Sequence, residues 1–257
     1  IDNLADYKVN ALLLSGGEPL LHPHLPELLE HATNRGLKVT ISTNGTRITP
    51  EYAAMFKRLG VAYVGISLDG IGAVHDSFRG VEGAFEGAIR GFRRCEEVGQ
   101  KTGLRLTLTR NNVQSMEEIL NFIEQEGIQR VCFYHLVPTG RGVDVASLRP
   151  DEARAALDML IARAEAWHKS GQTRELLTVT QPADGIYILL RQLREGSPLA
   201  AQTLRLLGWN GGGANSSGRG IANIDTQGNI HPDQFWQGVT LNFGWKGLNL
   251  SAQFQGV

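Results

Sequence analysis

The stretch Leu12-Leu13-Leu14-Ser15-Gly16-Gly17-Glu18-Pro19-Leu20-Leu21-His22-Pro23 runs three leucines into two glycines, an acid and a proline. The apolar run ahead of Gly and Pro reads as a strand entering a turn. A turn alone needs no more than Gly-Pro or Asn-Gly, so an acid held between Gly and Pro at a strand end asks for something to bind. Two glycines also let a backbone adopt positive φ and approach a ligand closely.

Outward from that stretch, short apolar runs alternate with amphipathic ones as far as residue 142. The pattern predicts strands at Ala11 to Leu14, Lys38 to Ser42, Ala62 to Ser67, Gly103 to Leu108 and Arg130 to Leu136. Helices are predicted at about 25–35, 50–59, 83–100 and 115–126, from apolar positions three and four residues apart. Repeated βα units of this kind build a parallel sheet with helices outside it. In such sheets the working residues gather where the strands end. The five strand ends here are Ser15-Gly16-Gly17-Glu18-Pro19, Ser42-Thr43-Asn44-Gly45, Ser67-Leu68-Asp69-Gly70, Thr109-Arg110-Asn111-Asn112 and Pro138-Thr139-Gly140-Arg141-Gly142. All are small, polar and rich in Gly or Asn, which is more than turn chemistry alone requires.

The 257 residues are 42% hydrophobic and 20% charged, enough for one large core or a main domain with an annex. Lys and Arg number 25 against 26 Asp and Glu, a formal net charge of -1 with no block of like charge, which argues against nucleic acid as a partner. No apolar run reaches the roughly 18 residues of a membrane helix, and the first residues carry no signal-peptide pattern, so no membrane partner and a cytoplasmic location are expected. The two cysteines, Cys95 and Cys132, stand apart, which excludes a disulfide framework and a cysteine-based metal site within this chain. Cys95 falls on the stripe Phe85, Ile89, Phe92, Cys95 and Val98, so it reads as a small apolar core residue, and Cys132 reads likewise inside a strand.

Beyond Pro150 the alternation stops. Helices are predicted at 151–170 and 186–207, then the glycine-rich run Asn210 to Gly218, then a hairpin from Ile221 to Asp225 through Thr226-Gln227-Gly228-Asn229 to Ile230–Phe235. The chain thus divides into a domain over 1–150 and an α+β extension over 151–257. The 210–218 run follows a helix, which favours a loop over a phosphate cradle. His22-Pro23-His24 reads as the lead into a helix starting near Leu25. Trp209, Phe235 and Trp236 form either a small core or an aromatic wall for a flat ligand.

SGGEP, STNG, SLDG, HDSFRG (His75 to Gly80) and PTGR resemble, in order and spacing, the motifs of the radical S-adenosylmethionine (SAM) superfamily. The resemblance covers residues 8 to 142. It implies a partial (β/α)6, TIM-like barrel with SAM lying across the strand ends and an α/β fold class. Gly16, Gly17 and Glu18 would hold the amino-acid end of SAM, with Ser42 and Asn44 beside it, while Ser67 and Asp69 would face the ribose diol or the nearby polar groups of SAM. Arg79 would neutralise the SAM carboxylate, with Arg110 competing for that role. Taken singly, Asp69 also fits an Asx turn before Gly70, and Arg79 a solvated charge.

The family carries three cysteines, as CxxxCxxC, upstream of SGGEP to hold a 4Fe-4S cluster. Only 14 residues precede Ser15 and none is Cys, so the cluster ligands are expected upstream of residue 1, on a βα unit missing from the sequence. The extension resembles the SPASM/twitch type, whose hairpin places a Cys for an auxiliary 4Fe-4S cluster where Asp233 stands here; that second cluster is an open alternative. GGGANSSG and HPDQFW look most like the heme d1 biosynthesis members of the group. The implied chemistry is 5'-deoxyadenosyl radical abstraction of hydrogen from propionate side chains of 12,18-didecarboxysiroheme, with an electron donor such as a flavodoxin or ferredoxin. Arg141 and Arg219 are candidates for the tetrapyrrole carboxylates, and His231 is either a ligand to an auxiliary cluster or to the iron of the tetrapyrrole, or a strand histidine capped by a neighbour. The rival readings are a related heme decarboxylase, a peptide-modifying maturase of the same type, and a non-catalytic barrel that binds SAM or a tetrapyrrole.

Overall fold

A computed structural model describes residues 1–138, 145–181, 183–209, 220–232, 240–245 and 248–253, the last two segments by their backbone alone. It places α1 (Asp2–Asp6), β1 (Ala11–Leu14), α2 (Leu25–Asn34), β2 (Lys38–Thr43), α3 (Pro50–Arg58) and β3 (Tyr63–Ser67) in succession. There follow α4 (Ala73–Arg79), α5 (Ala84–Glu97), β4 (Thr102–Leu108), α6 (Met116–Gln125) and β5 (Arg130–His135). Then come α7 (Pro150–Lys169), β6 (Glu175–Val179), α8 (Ala183–Arg194) and α9 (Ala200–Trp209), and four strands: β7 (Asn223–Ile224), β8 (Ile230–His231), β9 (Thr240–Trp245) and β10 (Leu248–Gln253).

Strands β1 to β6 form one sheet in chain order, every neighbouring pair parallel, as a partial barrel requires. Alternation along the strands divides its faces. On β4, Leu104, Leu106 and Leu108 are buried, joining a core with Ile41, Ile66 and Phe133 from the neighbouring strands and Leu29, Phe56, Phe92 and Ile119 from the helices. Gly103, Arg105 and Thr107 alternate with them and line the other, inner face. Helix α3 begins at Pro50 behind an N-cap, Thr49, whose hydroxyl accepts from the amide of Tyr52 at 3.2 Å. Both cysteines lie in the interior, as their stripes predict; burial pushes the Cys95 thiol up to about 12 and raises Cys132 too.

Two compact units emerge, one of 1–138 with 143–181 and one of 139–142 with 182–257. The sequence places the domain boundary at 150, but the sheet continues past it. The 20-residue α7 separates β5 from β6, and the short run Glu-Leu-Leu-Thr-Val then pairs with β5 from Arg130↔Glu175 to Tyr134↔Val179. The helix predicted over 186–207 is two. Gly196, at φ 64, and Pro198 end α8 and start a new turn before α9, because Gly supplies the left-handed residue and Pro cannot continue a helix. Within the second unit α8 and α9 meet through Leu189, Ala200 and Leu207. The hairpin predicted from Ile221 is present as the shorter β7–β8 pair, and β9 and β10 make a second antiparallel pair. Trp209 is 87% exposed and, among the described residues, joins no core.

Candidate functional site

Since β1 to β4 are parallel neighbours, the segments that follow them leave along one edge of the sheet. Gly16 has φ 135, a conformation that favours glycine. Gly17 has no such demand, and a Cβ there would meet no atom within 4 Å, so the chain's own packing does not account for it. Open space over a glycine backbone is what a ligand would fill.

Glu18 is half-buried and already engaged. Its Oε1 accepts from the amide of Leu20 at 3.1 Å and from the Thr43 hydroxyl at 2.6 Å, and its Oε2 accepts from the amide of Asn44 at 2.7 Å. The acid therefore ties the loop after β1 to the loop after β2, with about one acceptor position of the carboxylate left over. Thr43 relays the tie, its hydroxyl accepting from the amide of Gly45 at 3.0 Å. The Asn44 carboxamide oxygen closes a local turn, accepting from the Thr46 amide at 2.9 Å and its hydroxyl at 2.7 Å. Gly45 sits at φ 77 under α5, whose Gly87, Ala88 and Gly91 face Thr46 and Gly45 closely enough that a Cβ on Gly91 would lie 2.2 Å from the Gly45 carbonyl oxygen. Three small residues of α5 thus set the height of this loop.

Asp69 is placed differently from the sequence expectation. It is 2% exposed, its Oδ1 accepts from the Thr107 amide at 3.0 Å, and its Oδ2 accepts from the Arg79 guanidinium at 2.5 Å. A carboxylate turned inward between β3, β4 and α4 acts as a clamp, and Arg79 reaches it from α4. His75 and Asn112, which the sequence reading gave no role, complete the clamp. The Asp69 amide donates to His75 Nδ1 at 3.0 Å, while the Asn112 carboxamide nitrogen donates to the carbonyls of Asp69 at 3.0 Å and Thr107 at 2.7 Å. The signal lies in the spacing, since His75 and Arg79 stand one turn apart on α4 and both reach Asp69, His75 at its amide and Arg79 at its carboxylate.

His75 is 1% exposed, and its burial lowers its pKa below the ordinary 6.5, so it is neutral in the fold and must gain a proton on acid unfolding. The unfolded chain then binds more protons below pH 6.5, and stability must fall as pH drops through that value. The expected slope from this group is up to about 1.4 kcal/mol per pH unit. Urea melts between pH 7.5 and 5 check it: His75→Gln should lack that component, and an unchanged slope would remove His75 as its source.

Ser42 and Ser67 lie on the inner face, partly exposed, and their hydroxyls make no hydrogen bond to a described residue. Arg110 leaves β4 on the same edge, but its Nε bonds Glu152 at 3.0 Å. The structure thus gathers Gly16, Gly17, Glu18, Ser42, Asn44 and Ser67 along one edge, with Asp69 and Arg79 behind it and Arg110 tied to α7. Arg141 and Arg219 lie outside the described residues, as do the 210–218 run, Asp233, Phe235 and Trp236. His231, in the second unit, has Nε2 3.0 Å from Asp225 Oδ2, and that contact with the Asn229 and Gln227 amides holds the Asp225 carboxyl far below the usual range.

Gly17, Ser42 and Ser67, unclaimed by the chain itself, fit a polar nucleoside such as SAM. A 4Fe-4S cluster is not matched: among the described residues no three His, Cys, Asp or Glu converge, and both cysteines are buried on separate elements. Among the described residues no helix is long and apolar enough to cross a membrane.

Comparison with known proteins agrees with this geometry. A family model described as the Radical SAM superfamily matches residues 1–123. The chain is 44% identical over 239 residues to the Fe-coproporphyrin III synthase of Methanosarcina barkeri, covering 92% of this chain and 59% of that protein. It is 41% identical over 246 residues to the pre-heme d1 synthase of Dinoroseobacter shibae, covering 94% and 60%. The chain therefore spans about three fifths of the length of these curated relatives. The structure of native anSMEcpe with bound AdoMet superposes with a TM-score of 0.63 at 17% identity over 91% of this chain and 63% of that one, a likeness of fold. The domain match, the two relatives and the parallel partial barrel agree, and residues 1–123 form a radical SAM domain.

Proposed function

We propose that the protein is a cytoplasmic radical SAM enzyme of tetrapyrrole metabolism, acting on propionate side chains of 12,18-didecarboxysiroheme in heme d1 biosynthesis. The observation that carries the reading is the similarity, over more than nine tenths of the chain, to relatives named for coproporphyrin and pre-heme d1 chemistry. SAM, when bound and reductively cleaved, supplies a carbon radical that removes hydrogen from an unactivated position; a 4Fe-4S cluster, held by residues other than those described, and a flavodoxin or ferredoxin would provide the electron.

The chain's own residues bind and orient. The Gly16–Gly17 backbone receives the amino-acid end of SAM, Glu18 holds that loop against Asn44, and Ser42 and Ser67 offer hydroxyls from the inner face. Asp69, with Arg79, His75 and Asn112, fixes the β3 end from behind, and Arg110 lies at the rim. Arg141 and Arg219 are proposed for substrate carboxylates. His231 is proposed as a contact to the macrocycle. An auxiliary 4Fe-4S cluster in the extension stays part of the proposal.

The test is anaerobic turnover. The reduced full-length protein, with SAM and 12,18-didecarboxysiroheme, is expected to form 5'-deoxyadenosine together with a tetrapyrrole of altered mass. Formation of 5'-deoxyadenosine with a peptide and none with any tetrapyrrole would replace the reading by that of a maturase. Absence of iron from the protein would leave a binding barrel.

A further inference from the structure

His75 reaches the strand-end site through a bond that only one of its charge states can make. Its Nδ1 stands 3.0 Å from the amide nitrogen of Asp69, and a backbone amide can only donate. Nδ1 must therefore hold a free lone pair, so the ring is neutral with its proton on Nε2. A second proton would enter at Nδ1 and set two donors against each other. The bond grips the chain just past Ser67, the last residue of β3.

The surroundings favour that neutral state. From α5 the Phe85 ring lies against the imidazole, 6.3 Å between centres, and brings no charge. Burial acts most strongly on the titration of His75 and lowers its pKa. Among the described residues three charges act on it besides: Asp69 and Asp76 favour the proton, and Arg79 opposes it. Both acids are already engaged, Asp69 by Arg79 and the Thr107 amide, Asp76 by the amides of Gly83 and Phe85. An imidazolium would have to compete for them. The helix that carries His75 is also hinged, because α4 has seven residues between Gly72 at φ 52 and Gly80 at φ 67. A short helix between two such glycines can give way when its bond to β3 is lost.

We propose that His75 is a positioning residue for SAM that works only while neutral: through the Asp69 amide it holds the end of β3 in place, and a proton on Nδ1 releases it. The free protein then takes up that proton more readily than the SAM-bound one. Binding expels the proton, so SAM affinity must fall as pH drops through the ordinary 6.5 of the imidazole. The inference rests on the reading that the β3 end meets SAM.

SAM titrations of the full-length, cluster-bearing protein between roughly pH 7.5 and 5.5 test it in three forms. The unaltered protein is expected to lose roughly 3- to 10-fold in affinity over that range, within the limit of tenfold per pH unit for one linked proton. His75→Asn puts a carboxamide oxygen where Nδ1 stands and does not titrate, so its profile should be flatter. His75→Leu offers no acceptor and should be as flat, but should bind SAM more weakly than His75→Asn throughout. The amino group of SAM titrates alike in all three forms and cancels in the comparison. Equal slopes in the three forms, or equal affinity of His75→Leu and His75→Asn, overturns the inference, since a merely structural histidine would leave the slope alone. Should the unaltered protein bind no SAM, the reading of the site fails and hydrogen–deuterium exchange decides the latch by itself; it decides likewise if the variants do not fold. Residues 67–69 of the unaltered protein should then lose protection at low pH relative to residues 42–46, and equal behaviour of the two segments overturns the latch.

Discussion

Gly91→Ala is expected to lower stability by about 3 kcal/mol or more and to abolish SAM binding with it. In a helix interior this exchange ordinarily gains up to about 1 kcal/mol, because alanine is the better helix former. Here the added methyl would lie 2.2 Å from the Gly45 carbonyl oxygen and 3.1 Å from its carbon, atoms of backbone that cannot swing away. Either α5 lifts off the sheet, uncovering Phe85, Ala88, Ile89 and Phe92, or the loop carrying Asn44 and Gly45 is pushed out of place. Thermal melts should show a drop on the order of 10 °C. Gly87→Ala is the control: its nearest neighbour is the Thr46 Cγ2 at 3.1 Å, the end of a side chain, and a much smaller change is expected. A Gly91→Ala protein as stable as the parent would mean that α5 does not set the loop.

The second large effect belongs to Asp69. Asp69→Ala removes the acceptor of both the Thr107 amide and Arg79, leaving an inward-facing cation and a backbone donor without partners. Breaking a buried pair from one side costs about 3–5 kcal/mol. The value here should lie toward the lower end, because the Arg79 side chain is one third exposed and water can reach it. Urea denaturation should show the midpoint falling with the slope unchanged. Asp69→Asn keeps an acceptor for Thr107 and should recover part of the loss. A variant that loses SAM affinity but no stability would contradict the clamp and return Asp69 to ligand contact.

Much of this architecture was legible in the chain because helix and strand periods differ cleanly in its first half. The strands from Ala11, Lys38 and Arg130 begin where alternation and turn residues place them, and the small, polar strand ends share one edge because parallel pairing puts them there. Strand β6 was not legible: five residues behind a 20-residue helix carry too little pattern, and only the pairing with β5 identifies them. The helix break at Gly196 and Pro198 lies within a continuous apolar period, which masks it. In the site, sequence could name Glu18 and Asp69 but not what their oxygens face, since Thr43 and Thr107 reach them only across strands and Arg79 only through the return of α4.

The central claim is that the loops after β1, β2 and β3 close on one SAM molecule. Hydrogen–deuterium exchange of the anaerobic full-length protein, with and without SAM, tests it most directly. The account predicts slowed exchange confined chiefly to residues 15–18, 42–46 and 67–69, all three together. Protection elsewhere with none at these strand ends, or at one of them alone, would contradict it.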